Sequence, residues 1–213
     1  MGSTVDVAVV DYGMGNLRSV EQALRKVAPE AEIVVTDDAE TIAGAKRVVF
    51  PGQGAMPDCM RELDARGLRD AVLEAARSKP FLGICIGLQM LFESSAEGNT
   101  PGLGVLHGKV LHFAGNMHDA QGNKLKVPHM GWNQVHHVQH PLWNGIEQDA
   151  RFYFVHSYYV QPQDASLVQA TSQYPQSFVC AVAKDNLFAV QFHPEKSQAD
   201  GLKLLQNFVQ WNP

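Results

Sequence analysis

Residues 81–92 read Phe81-Leu82-Gly83-Ile84-Cys85-Ile86-Gly87-Leu88-Gln89-Met90-Leu91-Phe92. The first four suit a short, fully buried strand, and Leu88 to Phe92 begins a helix. Between them lies a G-x-Cys-x-G turn. Its glycines permit a tight, strained strand-to-helix reversal that lifts the Cys85 side chain above the sheet edge, as in a nucleophile elbow. A sulfur at a helix N-terminus meets a partial positive charge that favours thiolate over thiol. The N–H of Ile86 then points at the space in front of the sulfur, where an oxyanion would form. The competing reading makes Cys85 a small buried packing residue, the commonest fate of a free cysteine, and the elbow alone leaves both open.

Outward from the elbow, strand and helix signals alternate. Val7, Val9 and Val10 form a β-branched run that stops at Asp11. After the loop Asp11–Gly15, Asn16 is a good N-cap, and Leu17, Val20, Leu24 and Val27 recur on one helical face until Pro29. Ile33-Val34-Val35 and Val48-Val49-Phe50 read as two more buried strands. Ala55 to Arg77 is a second amphipathic stretch with Gly67 as its candidate break, and Met56, Met60 and Leu63 form a core stripe. This alternation implies right-handed crossovers and a mostly parallel sheet with helices on both faces.

From Val105 onward the runs are short and strand-like: Arg151 to Val160, Ser166 to Ala170, Phe178 to Ala183 and Leu187 to Phe192. They suggest antiparallel additions to the same sheet. Ser197 is expected to cap a closing helix that buries Leu202, Leu205 and Phe208. No repeat, low-complexity tract or linker divides the chain, so residues 1–213 read as one flavodoxin-like α/β domain.

Composition narrows the function. With 45% hydrophobic and 18% charged residues a sizeable core can form, which excludes disorder. A net charge of -5 argues against a nucleic-acid protein. Three cysteines are too few for a disulfide framework or zinc cage and fit a reducing compartment; Cys59 and Cys180 are expected to be packing residues. The run Val5–Val10 is broken by Asp6 and too short for a signal peptide or membrane span. Met1-Gly2 is similar to a myristoylation start, but Asp6 stands where that pattern has Ser or Thr. The expectation is a soluble cytoplasmic protein without membrane, nucleic-acid, metal or cofactor partners. Gly13-x-Gly15 lacks the third glycine of a dinucleotide loop, where Arg18 stands. The nine histidines form no H-E-x-x-H pattern, and His136-His137 reads as a solvated strand or loop.

Two segments join Cys85. His193 follows the strand Leu187–Val190, at a strand end where sites of open α/β sheets gather. Pro194 biases His193 toward extended backbone, in which residues two apart share a side, so Glu195 can reach the imidazole and fix its tautomer. The turn Pro51-Gly52-Gln53-Gly54 follows the strand Val48–Phe50 and can aim a peptide N–H at a ligand.

This set resembles the triad, or class I, glutamine amidotransferases: a G-I-C-x-G-x-Q elbow, a Q-F-H-P-E strand end and a P-G-x-G oxyanion turn. Asp11-Tyr12-Gly13-Met14-Gly15-Asn16-Leu17, Pro128-His129-Met130-Gly131-Trp132-Asn133 and Tyr153-Phe154-Val155-His156-Ser157-Tyr158 are similar to segments of one branch, the glutaminase subunits of imidazole glycerol phosphate synthase. The resemblance implies Cys85 as nucleophile, His193 as general base and acid, Glu195 as orienting carboxylate, and an oxyanion hole at Ile86, Gly52 and Gln53. It implies glutamine contacts at Gln89, Glu97, Ser157 and Tyr158, and partner contacts at Asn16, Met130, Trp132, Tyr153 and Lys196. The implied partner is a (β/α)₈-barrel cyclase subunit, in a heterodimer that serves histidine biosynthesis. Gln53 departs from the valine usual in the oxyanion turn. Glutaminase subunits of other synthases, γ-glutamyl hydrolases and a non-enzymatic regulatory module are the alternatives. The segments at 11–17 and 128–133 count against the first two, and the intact Cys-His-Glu set against the third.

Overall fold

The computed structural model describes residues 5–213, so the Met1-Gly2 start lies outside it. The β-branched runs form strands β1 (Val7–Val10), β2 (Ile33–Thr36), β3 (Arg47–Phe50) and β4 (Phe81–Ile84). Helices α1 (Leu17–Val27), α2 (Ala39–Gly44), α3 (Met56–Ala65) and α4 (Arg69–Ser78) connect them. The short α5 (Ile86–Met90) leads to β5 (Phe92–Ser95), β6 (Thr100–Pro101) and β7 (Leu106–His112). Then come β8 (His129–Gln134), β9 (His136–His137), β10 (Arg151–His156), β11 (Tyr158–Pro162), β12 (Val168–Gln173), β13 (Ser177–Lys184), β14 (Leu187–Val190) and α6 (Gln198–Gln210).

The strands β2-β1-β3-β4-β14 run parallel in that spatial order, and β13, β11, β7, β5 and β6 extend the sheet with mainly antiparallel pairs. Because the pleat alternates, Val7 and Val9 face α1 and α6 through Val20, Leu24, Leu204 and Phe208. Ala8 and Val10 face the other way, toward Ile42, Met56, Met60, Leu63 and Val72 of α2, α3 and α4. Strand β4 lies between β3 and β14, with Ile84 opposite Val190. The elbow and the His193 segment therefore leave neighbouring parallel strands at the same sheet edge. No described helix is long and apolar enough to cross a membrane.

Several expectations need correction. The helix placed at Leu88–Phe92 is the five-residue α5, and Phe92 already opens a strand paired parallel with β7. A helix that short has little stability of its own, so sheet pairing takes the following residues. The stretch Ala55–Arg77, by contrast, breaks where expected: Gly67, at φ +67°, separates α3 from α4. The run Arg151–Val160 divides at Ser157. Its first half, β10, pairs with β8 in a separate antiparallel ribbon, while β11 joins the main sheet between β13 and β7. Leu202 is only partly buried; the inner face of α6 is Gly201, Leu204, Leu205 and Phe208. Ser197 makes no capping bond, because its hydroxyl donates to the His193 carbonyl (2.6 Å) and accepts from the Tyr153 N–H (3.0 Å). His136 is exposed as expected, but His137 is half-buried and stacks on Trp143 at 4.7 Å.

Candidate active site

Cys85 occupies the turn between β4 and α5 with φ +56° and ψ −112°, a region that side chains other than glycine rarely adopt. Its N–H donates to the Val190 carbonyl at 2.8 Å, which ties the strained turn to β14. Two residues on, a Cβ at Gly87 would strike the carbonyl oxygen of Phe50, so the elbow closes against β3 only with glycine there. The Cys85 side chain is left in a cleft of about 310 Å³.

His193 has the extended backbone expected before proline (φ −103°, ψ 96°). Its Nδ1 lies 2.8 Å from Glu195 Oε1, and both side chains are buried, with 4% and 3% exposed. The carboxylate makes Nδ1 the protonated nitrogen of the neutral ring. Nε2 is buried without a hydrogen-bond partner and shares the cleft with the Cys85 sulfur. Burial pushes the imidazole down, but the charge and hydrogen-bonding capacity of the Cys85 sulfur, reinforced by Glu195, outweigh it and hold His193 at about 10.

Gln53, Gly54, Ile86, Gln89 and Glu97 line the cleft together with His156, Ser157, Tyr158 and His193. Gly52 is buried just behind this wall, where a Cβ would collide with the Tyr12 hydroxyl and Ile86 Cγ2. The Gln89 amide nitrogen donates to the Tyr158 carbonyl (3.2 Å) and to Gln191 Oε1 (3.1 Å), which leaves Oε1 of Gln89 to meet a ligand. Glu97 Oε2 accepts from the Met56 N–H at 2.8 Å, so this carboxylate holds the first turn of α3 at the cleft wall. Burial drives the Tyr12 hydroxyl well above its ordinary pKa and lifts the Cys59 thiol to about 12, which leaves both protonated.

Beside the cleft, the β8–β10 ribbon buries Phe152 and Phe154 and turns Trp132, Tyr153 and Met130 outward. Trp132 is opposite Tyr153, with ring centroids 6.1 Å apart, and Met130 is 62% exposed. Lys196 lies in the 3-10 turn Pro194–Lys196, which packs against both β10 and α1. Asn16 is exposed at the start of α1, where its side chain also accepts from the Ser19 N–H at 3.4 Å.

Two polar residues at this site carried no assignment from sequence. Gln191, fully buried, donates through Nε2 to Cys85 Sγ at 3.8 Å. His156 donates from Nδ1 to the Tyr158 carbonyl at 2.7 Å and receives Nδ1 of His129 at Nε2 (2.9 Å). Gln191 could have been found from its place one step before Phe192-His193, on a strand already assigned to the site.

The family model for "Glutamine amidotransferase class-I" matches residues 8–211. Proteins named imidazole glycerol phosphate synthase subunit HisH are similar over nearly the whole chain. The one from Nitrosospira multiformis is 67% identical over 210 residues, covering 98% of this chain and 99% of that protein. The one from Thiobacillus denitrificans is 66% identical over 212 residues, covering 99% of this chain and 93% of that protein. Among solved structures, a glutamine amidotransferase superimposes with TM-score 0.70 at 21% identity over 96% of this chain and 97% of that one. A glutamine amidotransferase from Thermotoga maritima does so with TM-score 0.59 at 17% identity over 91% of this chain and 77% of that one. These two likenesses show the fold. The elbow, the strand-end histidine and the relatives' identity agree: the chain belongs to the class I glutamine amidotransferase family and, within it, to the group of imidazole glycerol phosphate synthase HisH subunits.

Proposed function

We propose that this chain hydrolyses L-glutamine with Cys85, His193 and Glu195 and hands the ammonia to a cyclase subunit that forms the imidazole ring in histidine biosynthesis. The observation that carries the reading is the pairing of His193 Nδ1 with Glu195 at 2.8 Å while Nε2 shares the cleft with a cysteine on a strained elbow. The Cys85 thiolate attacks the side-chain amide carbon, and the oxyanion is held by the Ile86 N–H and one from the Gly52–Gln53 turn. His193 gives its proton to the departing nitrogen; the C–N bond breaks, releasing ammonia and leaving a γ-glutamyl thioester. The neutral imidazole then takes a proton from water, hydroxide attacks the thioester, and the C–S bond breaks to free glutamate and restore the thiolate–imidazolium pair.

Together with Ser157 and Tyr158, Gln89 and Glu97 bind the glutamine, Glu97 at the α-amino group. Ammonia is protonated in neutral water and lost as a nucleophile, so a synthase must receive it directly. The outward face of Met130, Trp132 and Tyr153, with Asn16 and Lys196 nearby, is the surface we assign to that partner, in the cytoplasm. Glutamate release by the chain alone and with a cyclase barrel plus its nucleotide ligand tests the reading. Low release alone and a large rise in the ternary mixture are expected. High release untouched by the barrel would keep Cys85 as nucleophile and overturn the partner.

A further inference from the structure

The histidines of the ribbon belong to a hydrogen-bond chain whose direction the geometry fixes. His156 Nδ1 faces the Tyr158 carbonyl at 2.7 Å, so it must carry a proton, and Nε2 of the neutral ring is then an acceptor. His129 Nδ1, 2.9 Å from that nitrogen, must donate to it, which makes His129 Nε2 an acceptor in turn. Asn133 Nδ2 stands 3.2 Å from His129 Nε2 and also donates to the Gln173 carbonyl at 2.8 Å. The other end continues inward. The Tyr158 carbonyl also accepts from Gln89, Gln89 donates to Gln191 Oε1, and Gln191 Nε2 donates to Cys85 Sγ.

Resting on the glutaminase reading above, we infer that His129 and His156 are positioning residues of the glutamine pocket: a neutral, one-directional relay that sets the Tyr158 carbonyl, and through it the Gln89 side chain, from the ribbon carrying Met130 and Trp132. The relay spans a break in the backbone. Between β10 and β11 the chain leaves the ribbon for the main sheet at Ser157, and the His156–Tyr158 bond closes across that residue. Ser157 and Tyr158 line the cleft, so a displacement of the His156 ring moves the pocket wall. A second proton on either ring would set two N–H groups against each other. An extra proton at His156 Nε2 would face the His129 Nδ1 proton, and one at His129 Nε2 would face the Asn133 amide, whose Oδ1 is already taken by the Gln134 N–H at 2.8 Å. Burial supports the neutral state, pushing His156 to about 3 and His129 to about 4. Phe113, Phe154 and Phe178 enclose the pair, and Tyr174 packs at a tilt on His129 with ring centroids 4.1 Å apart, so little water reaches it.

Nitrogen-15 spectroscopy of the imidazoles in the wild-type chain at neutral pH reads the relay without any substitution. Two neutral rings, both protonated at Nδ1, are expected; a protonated ring or an Nε2–H tautomer at either residue overturns the inference. Function is read by labelling Cys85 with the diazoketone analogue of L-glutamine, and in parallel with iodoacetamide, which needs no glutamine pocket. H129L should slow the analogue about tenfold while iodoacetamide changes by less than about twofold, and H129N, which keeps a donor at the Nδ position, should recover most of the loss. An unchanged analogue rate in H129L, an equal fall with both reagents, or no recovery in H129N overturns the positioning role. Failure of the analogue to label wild-type Cys85 would instead strike the glutaminase reading, leaving the ring tautomers as a separate result.

Discussion

Glu195 Oε1 lies 2.8 Å from His193 Nδ1 with a single proline between the two residues, so the carboxylate that orients the imidazole is delivered by the same extended segment. Pro194 fixes its own φ and restricts His193, which makes the pair a local, preorganised unit. E195Q keeps the side chain's size but removes the charge that stabilises an imidazolium and permits the opposite tautomer. It should lower the turnover of glutamine by about two to four orders of magnitude, with the larger loss in kcat than in KM. Steady-state kinetics of glutamate release check this.

Gly52 has no room for a side chain, because a Cβ would meet the Tyr12 hydroxyl and Ile86 Cγ2. G52A should therefore displace the turn to which the proposed mechanism assigns the second oxyanion donor, and lower kcat by about 10²–10³-fold. Adding Y12F removes one of the two colliding atoms and should recover part of the loss. Equal rates in the single and double variants would show that Tyr12 does not limit the turn.

The two relay histidines give the fold an acid-sensitive stability. Burial depresses His129 to about 4 and His156 to about 3 from an ordinary 6.5, although the Tyr158 carbonyl partly offsets the shift at His156. Between pH 6.5 and 5 the unfolded chain therefore binds protons that the folded chain refuses, and stability rises with pH across this window. Each such histidine contributes a slope approaching ~1.4 kcal/mol per pH unit. Thermal unfolding midpoints should fall on acidification from pH 6.5 to 5, above the range in which ordinary carboxylates titrate. The fall should be shallower in a H129F/H156F double variant. An equally steep fall in that variant would place the acid sensitivity elsewhere.

Far from the cleft, Arg47 Nη1 donates to the carbonyls of Phe208 (2.9 Å) and Trp211 (2.7 Å), closing the C-terminal end of α6 onto β3. R47L leaves the Trp211 carbonyl without its donor and the Phe208 carbonyl with only the Trp211 N–H, and should cost about 1–3 kcal/mol in denaturant unfolding, with glutamine turnover unchanged. A fall in turnover at full folding would show that α6 transmits strain to the site.

The parallel half of the sheet and the elbow were legible because their signals are local. The recurrence of Leu17, Val20, Leu24 and Val27 marks a helix face, and Gly83 and Gly87 mark a turn that larger residues would block. The His193–Glu195 contact was equally legible, since extended backbone alone brings residues two apart to one side. The second half was less so. Arg151–Val160 is continuously strand-like, and what divides it at Ser157 is pairing with distant partners: β8 on one side, β7 and β13 on the other. Ser197 looked like a helix cap because the residue type suits one, but its hydroxyl bridges His193 and Tyr153, a use that only the folded chain reveals. The Gln89–Gln191 bond joins residues 102 positions apart, and no periodicity announces it.

The most direct test of the central claim is intact-mass analysis of the chain, assembled with a cyclase barrel and its nucleotide ligand, quenched in acid during turnover of L-glutamine. The account predicts a γ-glutamyl adduct on Cys85 that decays with glutamate release and is absent, together with that release, in C85A. Undiminished glutamate formation by C85A would contradict it.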